Sequence, residues 1–180
     1  MNIDNSFFLE KAKICLSPNS SDRKSNEVSL LVIHNISLPP GNYGGDHIEK
    51  FFTNQLDHEE HPYFQDIADL KVSSHLLIKR DGSITQFVPF NKKAWHAGIS
   101  TFRGREDCNE FSIGIELEGT DESKYEKEQY ESLISVTKEL MSFFPDIKKD
   151  TIVGHSDIAP DRKTDPGKSF DWNYFRSNLD

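Results

Sequence analysis

Residues 28–35 read VSLLVIHN, and this stretch decides the fold class. Residues 28–33 are nearly all apolar, which predicts a strand buried on both faces in the middle of a sheet. His34 and Asn35 follow this run directly. Open α/β sheets tend to place their functional sites at the carboxyl ends of central strands, so we expect His34 to lie at such a site.

The rest of the chain predicts a single α/β domain in which helices flank a mixed central β-sheet. Residues 74–79 and 84–88 are predicted to form a hairpin around an Asp-Gly turn. Residues 124–144 carry apolar side chains at helical spacing, which predicts the longest helix. Asp46 and Asp171 are predicted to cap two shorter helices.

A second informative stretch, GHSDIAPDRKTDPG, occupies residues 154–167. The β-branched residues 151–153 before it predict a short strand that ends at His155. Pro160 and the Asp-Pro-Gly turn at residues 165–167 are expected to exclude a helix through this segment. The stretch is therefore predicted to be an extended loop, bounded by turns, that can fold back on the strand.

The same loop contains a candidate pair of metal ligands. A catalytic zinc ion takes three protein ligands and keeps one position open for water, and two histidines with one carboxylate are a recurring set. His155 and Asp165 would supply two ligands, and His34 is the best candidate for the third. The alternative is that His155 is an ordinary strand-end histidine and Asp165 a turn residue, since Asp-Pro-Gly forms turns in any context.

Residues 111–118, FSIGIELE, predict a third strand with two different faces. One face carries Ile113, Ile115 and Leu117. The other carries Ser112, Gly114, Glu116 and Glu118. Two carboxylates within an apolar strand are costly to bury unless a positive group, such as a metal ion or a lysine, faces them. The alternative is that the acidic face is exposed to solvent.

Three other histidines and one tryptophan are further candidates for functional residues. His58 and His61 form an HEEH sequence, but zinc proteases need a spacing of four on a continuous helix, and Pro62 argues against a helix. We therefore expect a solvated loop there. His75 is expected to be a hydrogen-bonded structural histidine. Trp95 either lines a cleft or packs in the core.

Composition excludes several classes of function. The formal net charge of −9, from 30 acidic and 21 basic residues, disfavours binding to phosphate backbones. Cys15 and Cys108 are the two cysteines, too few for a disulfide framework, and they are expected to be free thiols in a reducing compartment. Neither a signal peptide nor a membrane-spanning run is present, so we expect a cytoplasmic protein. We expect a single domain, with residues 1–27 as an extension packed on a core of residues 28–180.

These candidates together predict hydrolysis of an amide. A zinc ion bound by two neutral imidazoles and one carboxylate keeps a net positive charge, which lowers the pKa of bound water. Glu116 could accept the proton of that water and return it to the leaving amine. Lys163 could place positive charge where an oxyanion develops.

Several stretches carry a family resemblance. They are LLVIHNISLPPGNYGG, HPYF, SSHLLIKRDGSITQFVPF, AWHAG, CNEFSIGIELEGTD, GHSDIAP, RKTDPG and the following FDW. In order and spacing they resemble the zinc-dependent N-acetylmuramoyl-L-alanine amidases, from about residue 28 to the end.

The resemblance implies a fold like that of T7 lysozyme and the peptidoglycan-recognition domains. It implies cleavage of the lactyl amide between 1,6-anhydro-N-acetylmuramic acid and L-alanine in recycled muropeptides, by a monomer in the cytoplasm. The matching zinc ligands are His34, His155 and Asp165, and the matching catalytic residues are Glu116 and Lys163. The same resemblance implies substrate contacts at Asn35, Tyr63, Ala94 and Trp95.

Two other functions compete with this one. Related peptidoglycan-recognition domains bind muropeptides without cleaving them, but those domains typically lack a full ligand set. A metallopeptidase would keep the zinc ion and act on ordinary peptides. Asp161 stands where the family usually has glycine and Asp107 where a basic residue is frequent, and neither is among the five proposed metal-binding and catalytic residues.

Overall fold

The computed structural model describes residues 1–179 as an α/β fold. Its strands are β1 (Lys13–Ile14), β2 (Ser20–Asp22), β3 (Leu30–Ile36), β4 (Leu76–Ile78), β5 (Ile84–Gln86), β6 (Lys92–Ala94), β7 (Thr101–Phe102), β8 (Arg105–Glu106), β9 (Ser112–Glu118) and β10 (Ile152–Gly154). Its α-helices are α1 (His47–Phe52), α2 (Pro62–Asp66), α3 (Lys127–Phe143), α4 (His155–Ile158) and α5 (Trp172–Ser177). Short 3-10 turns cover Cys108–Glu110 and Lys149–Thr151.

The central sheet has six strands in the order β1-β5-β4-β9-β3-β10. Only β4 and β5 pair antiparallel, as the predicted hairpin, and the other neighbours pair parallel. The prediction of a mixed central sheet is therefore confirmed. Two-stranded ladders, β2 with β6 and β7 with β8, lie outside this sheet.

Strand β3 lies between β9 and β10, as the apolar run predicted. Its first five residues, through His34, are buried. The strand continues to Ile36, so His34 lies within it rather than after its end. All seven residues of β9 are buried as well, which makes the exposed reading of its acidic face wrong.

Helices cover both faces of the sheet. Side chains along each strand alternate between the two faces, so successive residues pack against different helices. In β4, Leu76 and Ile78 pack in the same apolar cluster as side chains of α3 and α5. Leu77, between them, packs in a second cluster with side chains of α1 and α2.

The longest helix, α3, confirms the helical pattern but begins three residues later than predicted. Glu126 precedes its first turn, and the Glu126 backbone N–H donates to Gln129 Oε1 over 3.0 Å, which helps to fix the start. Asp171 caps α5 as predicted, accepting a hydrogen bond from the Tyr174 backbone N–H over 2.8 Å. Asp46 precedes α1 without a capping bond and instead pairs with Lys50.

Two short helices occupy segments for which no helix was expected. Pro62 begins α2 rather than preventing it, because proline suits the first helical turn, where its missing N–H costs nothing. His61 caps this helix by accepting a bond from the Tyr63 backbone N–H over 3.1 Å. At the other segment, α4 begins at His155 and ends before Pro160, so that proline does not interrupt it.

Residues before β3 also contact the core of the domain. Leu9 is 1% exposed, and its backbone N–H donates to Gln86 Oε1 over 2.7 Å. The guanidinium of Arg23 donates to the backbone carbonyls of Asn109 and Ser112 over 3.0 and 2.8 Å. Within residues 1–179, no helix is both long enough and apolar enough to cross a membrane.

Candidate active site

Three donor atoms meet at the carboxyl ends of β3 and β10. The Nδ1 atoms of His34 and His155 lie 2.9 Å apart. Asp165 Oδ2 lies 3.0 Å from the first nitrogen and 3.1 Å from the second. The two histidines are buried, and the Asp165 side chain is 13% exposed. The structure thus brings together the three predicted ligands, and such a compact N, N, O set could hold a metal ion.

Parallel pairing of β3 with β10 brings the two histidines together. Gly154 is the ladder partner of Ile33, so the residues that follow, His155 and His34, emerge side by side. Gly154 also leaves room for the returning loop, because a Cβ there would lie 2.8 Å from Pro166 Cδ. The Ser156 backbone N–H donates to the Asp165 carbonyl over 3.0 Å, which holds the aspartate against the start of α4.

The Asp-Pro-Gly turn is held from its other side by Asn35 and Tyr125. The Pro166 carbonyl accepts bonds from Asn35 Nδ2 over 3.1 Å and from the Tyr125 hydroxyl over 2.7 Å. Asn35 Nδ2 also donates to Asp121 Oδ1 over 2.8 Å. These contacts give Asn35, predicted as a substrate contact, a structural role in placing the aspartate.

Electrostatics favour the protonation states that bind a metal. Burial lowers the pKa of His34 to about 4, and the contact with the Asp165 carboxylate acts in the opposite direction. Burial alone would raise the pKa of Asp165, but the contacts of its carboxylate with the His155 and His34 rings hold that pKa well below its usual range. At neutral pH the site therefore offers a neutral His34 imidazole beside an ionised carboxylate.

Glu116 lies on β9 directly beside His34 on β3. It is 9% exposed, and its Oε2 atom has no hydrogen-bond partner within residues 1–179. Burial raises the pKa of this carboxyl well above its usual value, and the charge of Asp165 raises it further, whereas Lys163 lowers it. A buried carboxylate with a raised pKa is a stronger base than an exposed one, which suits a general base.

The three ligands, Glu116 and Lys163 all line one cavity of about 630 Å³. Part of the lining is largely apolar and includes Leu38, Phe51, Phe52, Tyr63, Ile67, Leu70 and Val72. The lining also includes the polar residues Thr120, Asp121, Glu122, Arg162 and Thr164. The sequence did not predict these polar lining residues, because they come from two loops with no regular spacing.

The predicted substrate contacts divide into two groups. Asn35, Tyr63 and Trp95 line the cavity, so Trp95 belongs to a cleft wall, and its indole Nε1–H donates to Ser21 Oγ over 3.2 Å. Ala94 is fully buried in the apolar cluster behind the wall. Ala94 therefore does not line the cavity.

Three of the remaining histidines have clear contacts in the structure, two of them structural and one beside a proposed ligand. His75 accepts a bond from the Gly114 backbone N–H over 3.1 Å, as expected of a structural histidine. His61 caps α2, and neither it nor His58 belongs to the metal-binding group found in residues 1–179. His96 was not predicted, yet its Nδ1 lies 2.9 Å from His34 Nε2. Its place in the AWHAG stretch, between Trp95 and Ala97, was the available signal.

The two acidic departures from the family pattern lie away from the reacting groups. Asp107 has left-handed backbone geometry, with φ of 55°, and its carboxylate lies 3.7 Å from Lys93 Nζ. Asp161 is exposed in the turn that follows α4. Neither residue lines the cavity.

The sequence of the chain matches a known protein family and a characterised relative. The sequence profile of the N-acetylmuramoyl-L-alanine amidase family matches residues 24–168. The chain is 57% identical over 161 residues to the 1,6-anhydro-N-acetylmuramyl-L-alanine amidase AmpD of Escherichia coli K12, covering 89% of this chain and 87% of that protein.

Two solved structures extend the comparison. A crystal structure of an AmpD derivative superposes with a TM-score of 0.97 at 52% identity, covering 100% of both chains. The amidase AmiD of E. coli superposes with a TM-score of 0.62 at 31% identity, covering 88% of this chain and 60% of that one. The AmiD structure is a complex with anhydro-N-acetylmuramic acid-L-Ala-D-γ-Glu-L-Lys.

Proposed function

Because the chain belongs to the N-acetylmuramoyl-L-alanine amidase family, we propose that His34, His155 and Asp165 hold a catalytic zinc ion. The protein is an amidase that hydrolyses the bond between 1,6-anhydro-N-acetylmuramic acid and L-alanine in peptidoglycan recycling. Identity of 57% to a curated enzyme over 89% of the chain supports this activity. The roles of individual residues are proposed from the geometry of the site.

The donor set fits zinc better than a hard cation. Two imidazole nitrogens and one carboxylate oxygen match a common catalytic zinc set, whereas Mg²⁺ and Ca²⁺ prefer oxygen donors throughout. When bound, zinc supplies Lewis-acid chemistry and lowers the pKa of water toward ~7. The low pKa of His34, about 4, keeps its imidazole uncharged at neutral pH, so that one ring nitrogen retains a lone pair for a metal ion.

Glu116 is proposed as the general base and acid. Its Oε2 has no partner within residues 1–179, and the carboxyl group faces the cavity that the ligands line. Glu116 would take a proton from the attacking water at this oxygen and deliver it to the amine of L-alanine as the C–N bond breaks. A positive charge beside it would lower its raised pKa and favour the ionised form that accepts the proton.

Lys163 is proposed to stabilise the oxyanion that forms from the lactyl carbonyl. It lies two residues before Asp165 and lines the same cavity. Its backbone N–H donates to the Ala159 carbonyl over 2.9 Å, which fixes the chain direction at the end of α4. An ammonium in a partly enclosed site lowers the energy of a developing negative charge more than it would in water.

The cavity has the size and mixed polarity of a muropeptide site. About 630 Å³ is within the usual range for small-ligand sites. Tyr63 and Trp95 offer aromatic surface to an anhydro sugar or to the peptide, and Asn35 lies beside the metal-binding residues. We propose these three as substrate contacts. The cytoplasmic location, the monomeric state and the absence of nucleic-acid and membrane partners remain predictions from the sequence.

The meeting of three donor atoms beside the unpartnered carboxylate oxygen of Glu116 carries this proposal. The test is to incubate the purified protein with an anhydro-muropeptide, with and without a chelator, and to follow release of free peptide by mass spectrometry. We expect release that the chelator abolishes and added zinc restores. Chelator-insensitive release would overturn the zinc mechanism. Zinc binding without any release would support a muropeptide-binding module instead.

A matched substrate separates the amidase from a general metallopeptidase. The same peptide without its sugar should resist cleavage, because its first residue then carries a free amine in place of the lactyl amide. Equal cleavage of both substrates would contradict the amidase assignment.

A further inference from the structure

Two adjacent residues contact the ring nitrogens of the candidate zinc histidines that face away from the ligand triangle. His34 Nε2 lies 2.9 Å from His96 Nδ1. His155 Nε2 lies 3.1 Å from the Ala97 carbonyl oxygen. We call residues 96–97 the orienting pair. The proposed mechanism gives neither of these residues a role.

The contacts specify where each ligand histidine carries its proton. A histidine that binds a metal through Nδ1 must carry its proton on Nε2. The Ala97 carbonyl can only accept, so His155 Nε2–H donates to it. His96 can accept from His34 only if its own proton is on the other ring nitrogen.

Ser112 can accept that other proton. Its Oγ lies 3.0 Å from His96 Nε2. With His96 donating to Ser112, the acceptor nitrogen of His96 faces His34, and His34 Nε2–H donates to it. This single arrangement leaves His34 Nδ1 free to bind a metal.

The orienting pair is itself fixed from two directions. Asn109 Oδ1 accepts from the backbone N–H groups of His96 and Ala97 over 3.0 and 2.8 Å. Below the His96 ring lies Gly114, where a Cβ would be 2.5 Å from the ring. His96 is 9% exposed and Ala97 is fully buried, so water does not compete readily for these bonds.

We propose that the orienting pair positions both zinc histidines, with His96 and Ser112 fixing the Nε2–H tautomer of His34. This inference rests on the proposed zinc site. Outer contacts of this kind contribute to metal affinity because they hold each ring and its tautomer ready for the ion. Without an acceptor at His96, the His34 proton can move to Nδ1, where Asp165 Oδ2 lies 3.0 Å away, and the metal must then displace it.

The test compares zinc affinity in wild type and two His96 variants by competition with a chromophoric chelator. His96→Phe keeps a ring of similar size and removes the acceptor. His96→Asn keeps an acceptor oxygen near the position of Nδ1. We expect zinc binding to weaken by roughly 10- to 100-fold in His96→Phe and by clearly less in His96→Asn. His75→Asn, another fully buried histidine with no bond to a ligand, is the matched control and should retain wild-type affinity.

A second measurement does not depend on how well a variant folds. Nitrogen-15 NMR of the zinc-loaded wild-type protein reports the tautomer of each imidazole. We expect His96 to carry its proton on Nε2, and a proton on Nδ1 would overturn the proposal. Wild-type zinc affinity in a folded His96→Phe would do the same while leaving the proposed function intact. A wild-type protein that binds no zinc would overturn both.

Discussion

His34 and Glu116 are direct partners in the parallel ladder between β3 and β9. The register of this ladder runs from Leu30 opposite Ser112 to Ile36 opposite Glu118. A slip of one residue would turn Glu116 to the other face of the sheet, because strand side chains alternate. The separation of a proposed metal ligand from the proposed base is therefore set by two buried strands rather than by flexible loops.

Glu116→Gln should separate chemistry from metal binding. The amide keeps the size of the side chain but cannot accept the proton of the attacking water, so we expect kcat to fall by about 10²- to 10⁴-fold. Zinc content should stay stoichiometric, because Glu116 is not one of the three proposed ligands. Metal analysis and peptide release measured on the same sample check this.

Glu118→Gln is the matched control on the same face of β9. Glu118 accepts backbone N–H bonds from Gly44 and Arg80, so its loss should lower stability and leave kcat close to wild type. If Glu116→Gln kept zinc-dependent turnover, Glu116 would not be the general base.

His34→Ala should lose zinc and activity together. The side chain is 1% exposed and supplies one of three donor atoms, so its removal leaves an incomplete set. Atomic absorption after gel filtration should show little bound zinc. Stoichiometric zinc in this variant would mean that the ion binds elsewhere.

Lys163→Met should lower kcat while zinc remains bound. Methionine keeps most of the aliphatic stem and removes the charge near the developing oxyanion, a loss expected to cost about 10²- to 10³-fold. Lys168→Met is the control, since Lys168 is exposed and pairs with Glu122 over 2.8 Å. A change in KM alone for Lys163→Met would indicate a role in substrate binding instead.

The sequence predicted those parts of the fold that depend on local pattern. The apolar run before His34 identified the central strand, and the helical spacing from Tyr130 onward identified α3. Both patterns reflect burial, which the chain encodes residue by residue. The Asp-Gly turn at residues 81–82 likewise identified the hairpin, where Gly82 has a φ of +78°.

The contacts that His96 and Asn35 make with distant residues could not be predicted in this way. His96 and His34 are 62 positions apart, and Asn35 and Pro166 are 131 apart. Their pairing depends on strand order, which no local pattern specifies. The prediction from Pro62 failed for a different reason. Proline can both break and begin a helix, and here it begins α2, which His61 caps by accepting a bond from the Tyr63 backbone N–H.

Gly114→Ala should destabilise the protein through His96. Gly114 has no left-handed backbone strain, so the cost comes from contact, because the new Cβ would lie 2.5 Å from the His96 ring. Overpacking of this kind typically costs about 1–3 kcal/mol. Denaturant unfolding of the single variant measures it.

The double variant Gly114→Ala with His96→Ala tests that origin. Once the ring is absent, adding the methyl group should cost little, so the two changes should be strongly non-additive. An equal cost of Gly114→Ala in both backgrounds would place the strain elsewhere in β9.

His75 should make stability depend on pH in the acidic range. Burial and the nearby charge of Arg23 lower its pKa from 6.5 to about 3 in the folded state. Protonation would also place a proton on Nδ1, which now accepts from the Gly114 backbone N–H over 3.1 Å. The unfolded chain therefore binds the proton first as pH falls.

The stabilisation from neutral His75 is thus complete above pH 6.5 and is lost as pH falls from 6.5 toward about 3. Between about pH 7 and 4.5, linkage predicts a loss of about 2–3 kcal/mol from this one group. Urea unfolding in the presence of a chelator, so that zinc release does not contribute, should show this loss in wild type. His75→Asn keeps an acceptor for Gly114 but cannot be protonated in this range. The free energy of unfolding of this variant should therefore fall by about 2–3 kcal/mol less than that of wild type over the same pH range. Identical pH slopes in the two proteins would mean that His75 gains its proton at the same pH whether the chain is folded or not.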